Sequence, residues 1–276
     1  MILSNQQFDR TRRLALSLAG IELVERHREL LGRRSRRHGV LDSAGLNSLL
    51  DAVEEGEAPA RQKLLCLLTT KFTGFFRHPR QFDIAAEHAL RAAQHRGRAR
   101  LWSAAAATGE EPYSLAMALI EMCGREDPPA TILATDVDAS ALAVAQQGEY
   151  GEAALRGLEP ARHERFLRNT SVARRWGIAP ALRCLVEFRA LNLASLAWPV
   201  EGPFDVIFCR NVLMYLEACH RYAVLERMAS LLAPDGLLML DPAEHLGKAA
   251  HLFIPQADAV YRRPGASCVP RNVIRL

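Results

Sequence analysis

Apolar positions in the first part of the chain recur at helical spacing, with charged residues between them. This pattern extends over about residues 8–77 and predicts helices without strands, packed as a small separate bundle. Gly20 interrupts the pattern, so a helix is expected to end there. Asp42 and Ser43 are typical of a helix N-terminus and predict a helix over residues 44–53.

Beyond residue 98, short apolar runs alternate with amphipathic segments. The clearest buried strand is FDVIFC at 204–209, and another strand is predicted over 237–240, after a Pro234-Asp235-Gly236 turn. Residues 182–188 are a further candidate strand. Helices are expected over 82–94, 113–122, 139–147 and 218–232. Strands alternating with helices predict an α/β fold with a parallel sheet, whose ligands bind beyond the carboxyl ends of the strands.

The stretch RLWSAAAATGEEPYSLAM predicts the first strand–loop–helix unit of this sheet. Small residues at 103–109 let a ligand approach the backbone, and Pro112 suits a first helical turn. The loop is not G-x-G-x-x-G, and Glu110 and Glu111 stand at the positive end of the helix. Two carboxylates there disfavour a pyrophosphate and favour an amino or sulfonium group.

Asp136 follows the second predicted strand, at residues 131–134. An acid at this place can hold a ribose diol by two hydrogen bonds. A second interpretation makes Asp136 the N-cap of the helix over 139–147, and the sequence leaves both open. Together with the alanine-rich loop, this acid predicts an adenosine ligand without phosphate, namely S-adenosylmethionine.

The net charge of +4 over 276 residues is mild, but arginines cluster near the start of the chain. The cluster contains Arg26, Arg28, Arg33, Arg34, Arg36 and Arg37. It is either a solvated helix face or a docking face for an acidic or nucleic-acid partner. Aromatic residues do not interleave with these arginines, which disfavours single-stranded nucleic acid.

The cysteines and the apolar runs indicate the cellular compartment of the protein. Six cysteines without a C-x-x-C pair predict reduced core thiols rather than zinc ligands or disulfides. No apolar run is long enough to span a bilayer, and the N-terminus has no secretory pattern. We therefore expect a cytoplasmic protein without membrane insertion or metal.

The stretch TTKFTGFFRHPR, residues 69–80, joins the helical part to the sheet. One interpretation is a hydrophobic hinge with Arg77 at the surface. The other is a lid over the ligand pocket, with Arg77 pointing inward.

These blocks together resemble the CheR family of chemotaxis receptor glutamate O-methyltransferases. The matching stretches, in order between about residues 8 and 263, are TKFTGFFR, WSAAAATGEEPYSLAM, ATDVDASAL, the NL of ALNL and FDVIFCRNVLMYL. The resemblance implies an N-terminal helical domain for receptor docking at 1–70 and a linker with a lead-in helix at 71–98. It also implies a doubly wound methyltransferase domain at 99–276, with a small antiparallel subdomain inserted at about 150–185.

The resemblance also implies site residues at matching positions. Glu111 is expected on the methionine amino group, Asp136 on the ribose, and Asn192 with Leu193 at the adenine edge. The implied cofactor-binding residues are Thr73, Arg77, Ala105, Glu111, Asp136, Asn192, Leu193, Arg210 and Asn211, and the implied catalytic residues are Arg77 and Tyr215.

Three stretches depart from the family pattern. Lys71 replaces a frequent Asn, and LDPAEHL replaces a glycine-rich, serine-containing stretch, keeping only Glu244. Residues 168–170 lack the Gly-Thr-Gly of members that bind a receptor's C-terminal peptide tether, so the sequence does not predict tether binding.

By resemblance, the expected reaction is methyl transfer to glutamate side chains in the cytoplasmic helical region of chemoreceptors. A carboxylate is already ionised at neutral pH, so no general base is expected. The expected enzyme is a monomer that docks its receptor through Arg33, Arg34, Arg36 and Arg37 and binds no nucleic acid. Two alternatives are a methyltransferase with another carboxylate acceptor and a non-catalytic module that binds the cofactor for signalling.

Overall fold

The computed structural model describes residues 3–40, 42–69 and 73–264, and its first part is helical, as predicted. The helices are α1 (Asn5–Ala19), α2 (His27–Arg37), α3 (Ser43–Glu54) and α4 (Ala58–Leu68). Ser4 begins α1 through a capping box with Gln7, and Gly20 ends it with a positive φ of 63°. Asp42 caps α3. The apolar faces of the four helices form one core cluster that includes Phe8, Leu50 and Leu64.

Strands and helices alternate after the linker. The first elements are α5 (Pro79–Arg96), β1 (Ala99–Ser103), α6 (Glu110–Cys123), β2 (Ala130–Asp136) and α7 (Ala139–Gln147). They are followed by β3 (Glu149–Gly151), α8 (Glu152–Leu155), α9 (Pro160–Phe166), β4 (Leu167–Asn169), β5 (Arg175–Ile178), α10 (Pro180–Leu185) and β6 (Val186–Ala190). The last elements are β7 (Phe204–Phe208), α11 (Ala218–Leu231), β8 (Leu232–Met239), β9 (Ile254–Pro255) and β10 (Val260–Arg262), with 3-10 turns at Leu213–Tyr215 and Gly247–Leu252.

The main sheet has seven strands in the order β6-β2-β1-β7-β8-β10-β9. The first five are mutually parallel, and β10 is antiparallel to both β8 and β9. Chain order reverses between β1 and β7, and a crevice forms at such a switch point beyond the carboxyl ends of the strands. β3, β5 and β4 form a separate three-stranded antiparallel sheet. The predicted fold class is confirmed, whereas the domain boundaries stay a prediction.

The candidate strand at residues 182–188 is wrong in its first half. Leu182 and Leu185 belong to α10, and only the residues from Val186 onward pair with β2. Pro180 explains the difference, since its fixed φ suits the first turn of a helix.

The predicted turn at Pro234-Asp235-Gly236 is also wrong, because β8 runs through it from Leu232 to Met239. The pairing of β7 with β8 shifts register between Phe204 and Val206, which accommodates the extra residues as an irregularity within the strand. A side chain at Gly236 would approach the Phe204 carbonyl oxygen to 2.9 Å, so a residue without Cβ is needed there.

The described cysteines only partly match the expectation of core thiols. Cys66 and Cys209 are buried, Cys123 is half-buried, and Cys184 and Cys219 are exposed. Cys268 lies outside the described residues. Within the described ranges, no helix is both long and apolar enough to cross a membrane.

Candidate functional site

One cavity opens at the carboxyl ends of β1, β2, β6 and β7, where the chain order of the strands reverses. Its empty volume is about 1050 Å³, counting open solvent at its mouth. All the site residues expected from the sequence line it, namely Thr73, Arg77, Ala105, Glu111, Asp136, Asn192, Leu193, Arg210, Asn211 and Tyr215. Site residues from five separate stretches of the chain therefore meet at one place.

The loop after β1 is fixed by backbone hydrogen bonds and packs closely against α7 and β3 at Gly109. The Ala104 N–H donates to the Phe208 carbonyl at 2.8 Å, and the Ala106 N–H donates to the Thr135 carbonyl at 2.8 Å, so backbone bonds fix the loop between two strands. Gly109 has a φ of 97°, and a Cβ there would approach the Ala145 Cβ and the Tyr150 hydroxyl to 2.8 Å. A glycine at this position therefore lets α6 start directly beneath the cavity.

Glu111, in the first turn of α6, places a carboxylate in the cavity wall. Its Oε1 accepts a hydrogen bond from the Ser103 hydroxyl at 2.8 Å, and its Oε2 lies 3.2 Å from Arg210 Nη1. Burial raises the pKa of Glu111 above its ordinary value, and Arg210 and Ser103 offset that effect only in part. A cation bound beside Glu111 would stabilise its ionised form, so the carboxylate suits an ammonium group.

Arg210 links this carboxylate to the linker. Its Nη2 donates to the Arg77 carbonyl oxygen at 2.6 Å, and its guanidinium lies over the rings of Phe82 and Phe208 at 5.7 and 5.9 Å. The side chain is only 2% exposed, so one buried arginine holds α6 and the linker together.

Asp136 ends β2, and its two oxygens accept N–H groups from Ala107 at 2.8 Å and from Asp138 at 2.9 Å. The N-cap of α7 is Asp138, whose Oδ1 accepts from the Ser140 and Ala141 amides. The N-cap interpretation of Asp136 is therefore wrong. Burial raises the pKa of Asp136, and each of its oxygens keeps a lone pair for a further donor from the cavity.

The linker combines the two interpretations that its sequence allowed. Phe75 and Phe76 are buried and pack edge-on against Tyr150 and Phe82, as a hydrophobic hinge would. The Phe76 N–H donates to the Ser114 hydroxyl at 2.9 Å, which ties the segment to α6. Arg77, the next residue, lines the cavity. Lys71 and Phe72 lie outside the described residues.

The end of α1 also forms part of the cavity wall, through Ala19 and Ile21, which the sequence did not indicate. The Asn192 amide donates to the Leu18 carbonyl at 2.6 Å, and the Glu22 N–H donates to the Tyr215 carbonyl at 2.9 Å. The helical part is thus hydrogen-bonded to two of the expected site residues.

Two buried acids after β8 accept hydrogen bonds from the loop after β7, which forms part of the cavity wall. Glu244 is 3% exposed and accepts the N–H groups of Asn211, Val212 and Leu213, each within 2.9 Å. Asp241 is 4% exposed and accepts from the Asn211 side chain at 2.8 Å. Burial raises the pKa of Glu244, although these amides act in the opposite direction.

Arg34 differs from the other arginines of the proposed docking group. Its guanidinium donates to the Leu67 and Leu68 carbonyls at 3.3 and 2.9 Å, at the end of α4. Arg33 and Arg36 are exposed, and Arg33 lies 3.6 Å from Glu29. The side chain of Arg37 lies outside the described part of the chain.

Within the described residues, Glu217, Cys219 and His220 place potential metal-ligand atoms within 4.8 Å of one another. Helix capping accounts for this grouping, because Glu217 is the N-cap of α11 and accepts the Cys219 N–H at 3.0 Å. None of the three lines the cavity.

The cavity fits an adenosyl ligand that carries an amino group. Asp136 offers acceptors for a diol, Glu111 offers an anion for an ammonium group, and the alanine loop lets the ligand approach closely. This sheet order, loop and acid at the end of β2 define an S-adenosylmethionine-dependent methyltransferase. Residues 71–261 match the family model "CheR methyltransferase, SAM binding domain", and the chain belongs to the CheR methyltransferase family.

Named relatives cover nearly the whole chain. It is 37% identical over 261 residues to chemotaxis protein methyltransferase 2 of Pseudomonas aeruginosa, spanning 94% of this chain and 93% of that protein. It is 36% identical over 271 residues to the chemotaxis protein methyltransferase of Escherichia coli, spanning 95% of this chain and 92% of that protein. A TehB-like methyltransferase structure from Corynebacterium glutamicum aligns at 16% identity over 64% of this chain and 87% of that one, with a TM-score of 0.38.

Proposed function

We propose that this methyltransferase transfers the methyl group of S-adenosylmethionine to glutamate carboxylates in the cytoplasmic helices of chemoreceptors. The observation that carries the proposal is the meeting of Arg77, from the linker, and Tyr215, from the loop after β7, in the wall that also contains Glu111 and Asp136. The relatives named as chemotaxis methyltransferases support it. The enzyme is proposed to act as a cytoplasmic monomer.

Each wall residue has a proposed part in binding. Glu111 receives the ammonium group of the cofactor and Asp136 the ribose hydroxyls. Asn192 and Leu193 lie at the adenine edge, and Thr73, Ala105 and Asn211 complete the wall. Arg210 acts by holding Glu111 and the Arg77 carbonyl in place.

When bound, S-adenosylmethionine supplies an electrophilic methyl group on a sulfonium. The acceptor carboxylate needs no general base, because it is ionised at neutral pH. Arg77 is proposed to orient this carboxylate through its guanidinium, and Tyr215 through its hydroxyl. The acceptor loses its charge as the ester forms, so Arg77 must direct the carboxylate without holding the ground state too strongly.

The test is transfer of radiolabelled methyl groups to purified cytoplasmic fragments of chemoreceptors encoded in the same genome. Label should enter fragments that carry glutamate at the acceptor position and should be released by mild alkali, as expected for a methyl ester. Label in other proteins or small acids would indicate another acceptor. Cofactor binding without transfer to any acceptor would indicate a signalling module without catalysis.

Replacing Asp136 by alanine should weaken S-adenosylmethionine binding by about 1–3 kcal/mol, since charge-assisted hydrogen bonds to the ribose are lost. Isothermal titration calorimetry measures the change. Asp42→Ala is the matched control, because Asp42 also accepts a backbone amide, from Gly45 at 2.8 Å, but lies in the helical part away from the cavity. Unchanged cofactor affinity in Asp136→Ala would contradict the ribose assignment.

Arg33 and Arg36 are the exposed, described members of the proposed receptor-docking group. Changing both to glutamine should raise the Michaelis constant for the receptor fragment by about three- to tenfold at low salt, and the difference should shrink as salt screens it. Cofactor affinity should not change. Arg34 is left intact, because its contacts with the α4 carbonyls make it part of the helical core.

Arg91→Gln with Arg125→Gln removes the same total charge elsewhere and serves as the control. Both side chains are more than 60% exposed and lie outside the helical part. Equal effects of the two double variants would show that net charge matters rather than a docking face.

A further inference from the structure

Asp241 is a buried carboxylate just beyond the end of β8, in the stretch LDPAEHL. Its side chain is 5% exposed, and the residue is not among those that line the cavity. Backbone bonds fix its position, because its Oδ1 accepts the Ala243 N–H at 3.0 Å and its own N–H donates to Glu244 at 3.1 Å. The carboxylate is therefore rigidly placed behind the wall.

Three side chains converge on the other oxygen of Asp241. Arg77 Nη2 lies 3.2 Å from Oδ2, His78 Nε2 lies 3.5 Å from it, and the Asn211 amide donates to it at 2.8 Å. Arg77 and Asn211 line the cavity themselves. One buried oxygen thus connects the linker with the loop after β7.

Asp241 carries a charge in this environment. Burial acts to raise its pKa, but the Ala243 amide, the Asn211 side chain and the charges of Arg77 and His78 outweigh burial and lower the pKa below its ordinary value. An ionised Asp241 therefore offsets part of the positive charge that Arg77 presents to the cavity.

We propose that Asp241 is a positioning residue that orients Arg77 and weakens the electrostatic attraction of Arg77 for the acceptor carboxylate. The inference rests on the proposed function and deepens it, because it concerns how the acceptor is bound. The acceptor is anionic in the ground state and becomes a neutral ester. An arginine without a counter-charge would stabilise the bound acceptor more than the transition state, which lowers the turnover number.

Asp241→Asn separates charge from shape. Asparagine keeps one carbonyl oxygen, which can face Arg77, His78 and the Asn211 amide, and it removes the negative charge. Its NH2 group then replaces the oxygen that accepts the Ala243 N–H, so that one hydrogen bond is lost. The variant should bind a receptor fragment with glutamate at the acceptor position about fivefold more tightly than the wild type does. A fragment with glutamine at that position should bind both proteins equally, because it brings no charge to Arg77. Calorimetry without cofactor measures these affinities.

Kinetics give a second readout. At saturating cofactor, Asp241→Asn should lower both the Michaelis constant for the glutamate fragment and the turnover number, each by about fivefold, leaving their ratio nearly unchanged. In an Arg77→Ala background, Asp241→Asn should have no effect on affinity for either fragment, since its action passes through that arginine.

The control is Asp235→Asn. Asp235 lies in β8, outside the cavity lining, and its Oδ1 is 3.1 Å from Arg96 Nη2. The control should leave affinity and turnover unchanged. Weaker or unaltered binding of the glutamate fragment to Asp241→Asn, or equal tightening of the glutamine fragment, would overturn the inference. A wild type that methylates no receptor fragment would instead overturn the proposed function, and the inference with it.

Discussion

Arg77→Ala should lower turnover on a receptor fragment about 100-fold or more, which corresponds to about 3 kcal/mol of transition-state positioning. Among the described residues of the linker, Arg77 is the one that lines the cavity with a charged side chain, and that side chain is 31% exposed. Losing it removes the proposed partner of the acceptor carboxylate. Single-turnover methyl transfer at saturating S-adenosylmethionine measures the loss apart from any change in cofactor binding.

Arg80→Ala is the control for this experiment. Arg80 lies three residues later, is 78% exposed on its side chain and contacts Asp258 at 3.2 Å, away from the cavity lining. The control should keep wild-type turnover. If Arg77→Ala retained more than about a tenth of wild-type turnover, the orienting role would have to be given to another residue.

Glu244→Ala should reduce the free energy of unfolding by about 3 kcal/mol or more, because it leaves several buried N–H groups without an acceptor. The amides concerned belong to Asp241, Asn211, Val212 and Leu213. Chemical denaturation measures the loss. Cofactor affinity should fall as well, since the loop that contains Asn211 and Tyr215 forms part of the cavity wall.

Glu226→Ala gives a comparison, because Glu226 is exposed on α11 and accepts a hydrogen bond from the Tyr222 hydroxyl at 3.3 Å rather than from buried amides. Its unfolding free energy should change by no more than about 0.5 kcal/mol. A Glu244→Ala protein as stable as Glu226→Ala would mean that the loop finds other acceptors.

Local signals predicted the regular elements well. The helix over 139–147 was predicted with the bounds that the structure shows, and that over 218–232 differs by one residue. Such elements depend on the apolar periodicity and the capping residues of one short segment, which the sequence shows directly. The strand expected at 182–188 was wrong in its first half, because the apolar content there outweighed the helix-start signal of Pro180, whereas residues 186–188 belong to β6.

Side-chain partners distant along the chain could not be predicted in this way. The role of Glu244 depends on amides about 30 residues earlier, and that of Arg34 on carbonyls 33 residues later. Asp136 and Asp138 are two residues apart, and the sequence does not decide which one caps α7. In the structure the cap is Asp138, whose own backbone is extended and whose Oδ1 accepts the Ser140 and Ala141 amides. The candidate site was predicted because its residues occur in motifs, whereas Asp241 belongs to none.

The hydrogen bonds between the end of α1 and the loop containing Tyr215 have a thermodynamic consequence. Gly20 accepts the Glu217 N–H at 2.8 Å, Ile21 bridges to Leu216, and Ala19 and Ile21 form part of the cavity wall. If a receptor docks on the helical part, as proposed, a resulting shift of α1 would also change the shape of the cofactor cavity. By reciprocity, a change in cofactor affinity caused by the receptor must be matched by an equal factor in receptor affinity caused by the cofactor. Under that proposal the receptor and the cofactor would be coupled through the folded chain itself, and exchange of S-adenosylhomocysteine for S-adenosylmethionine on a docked receptor would be subject to that coupling.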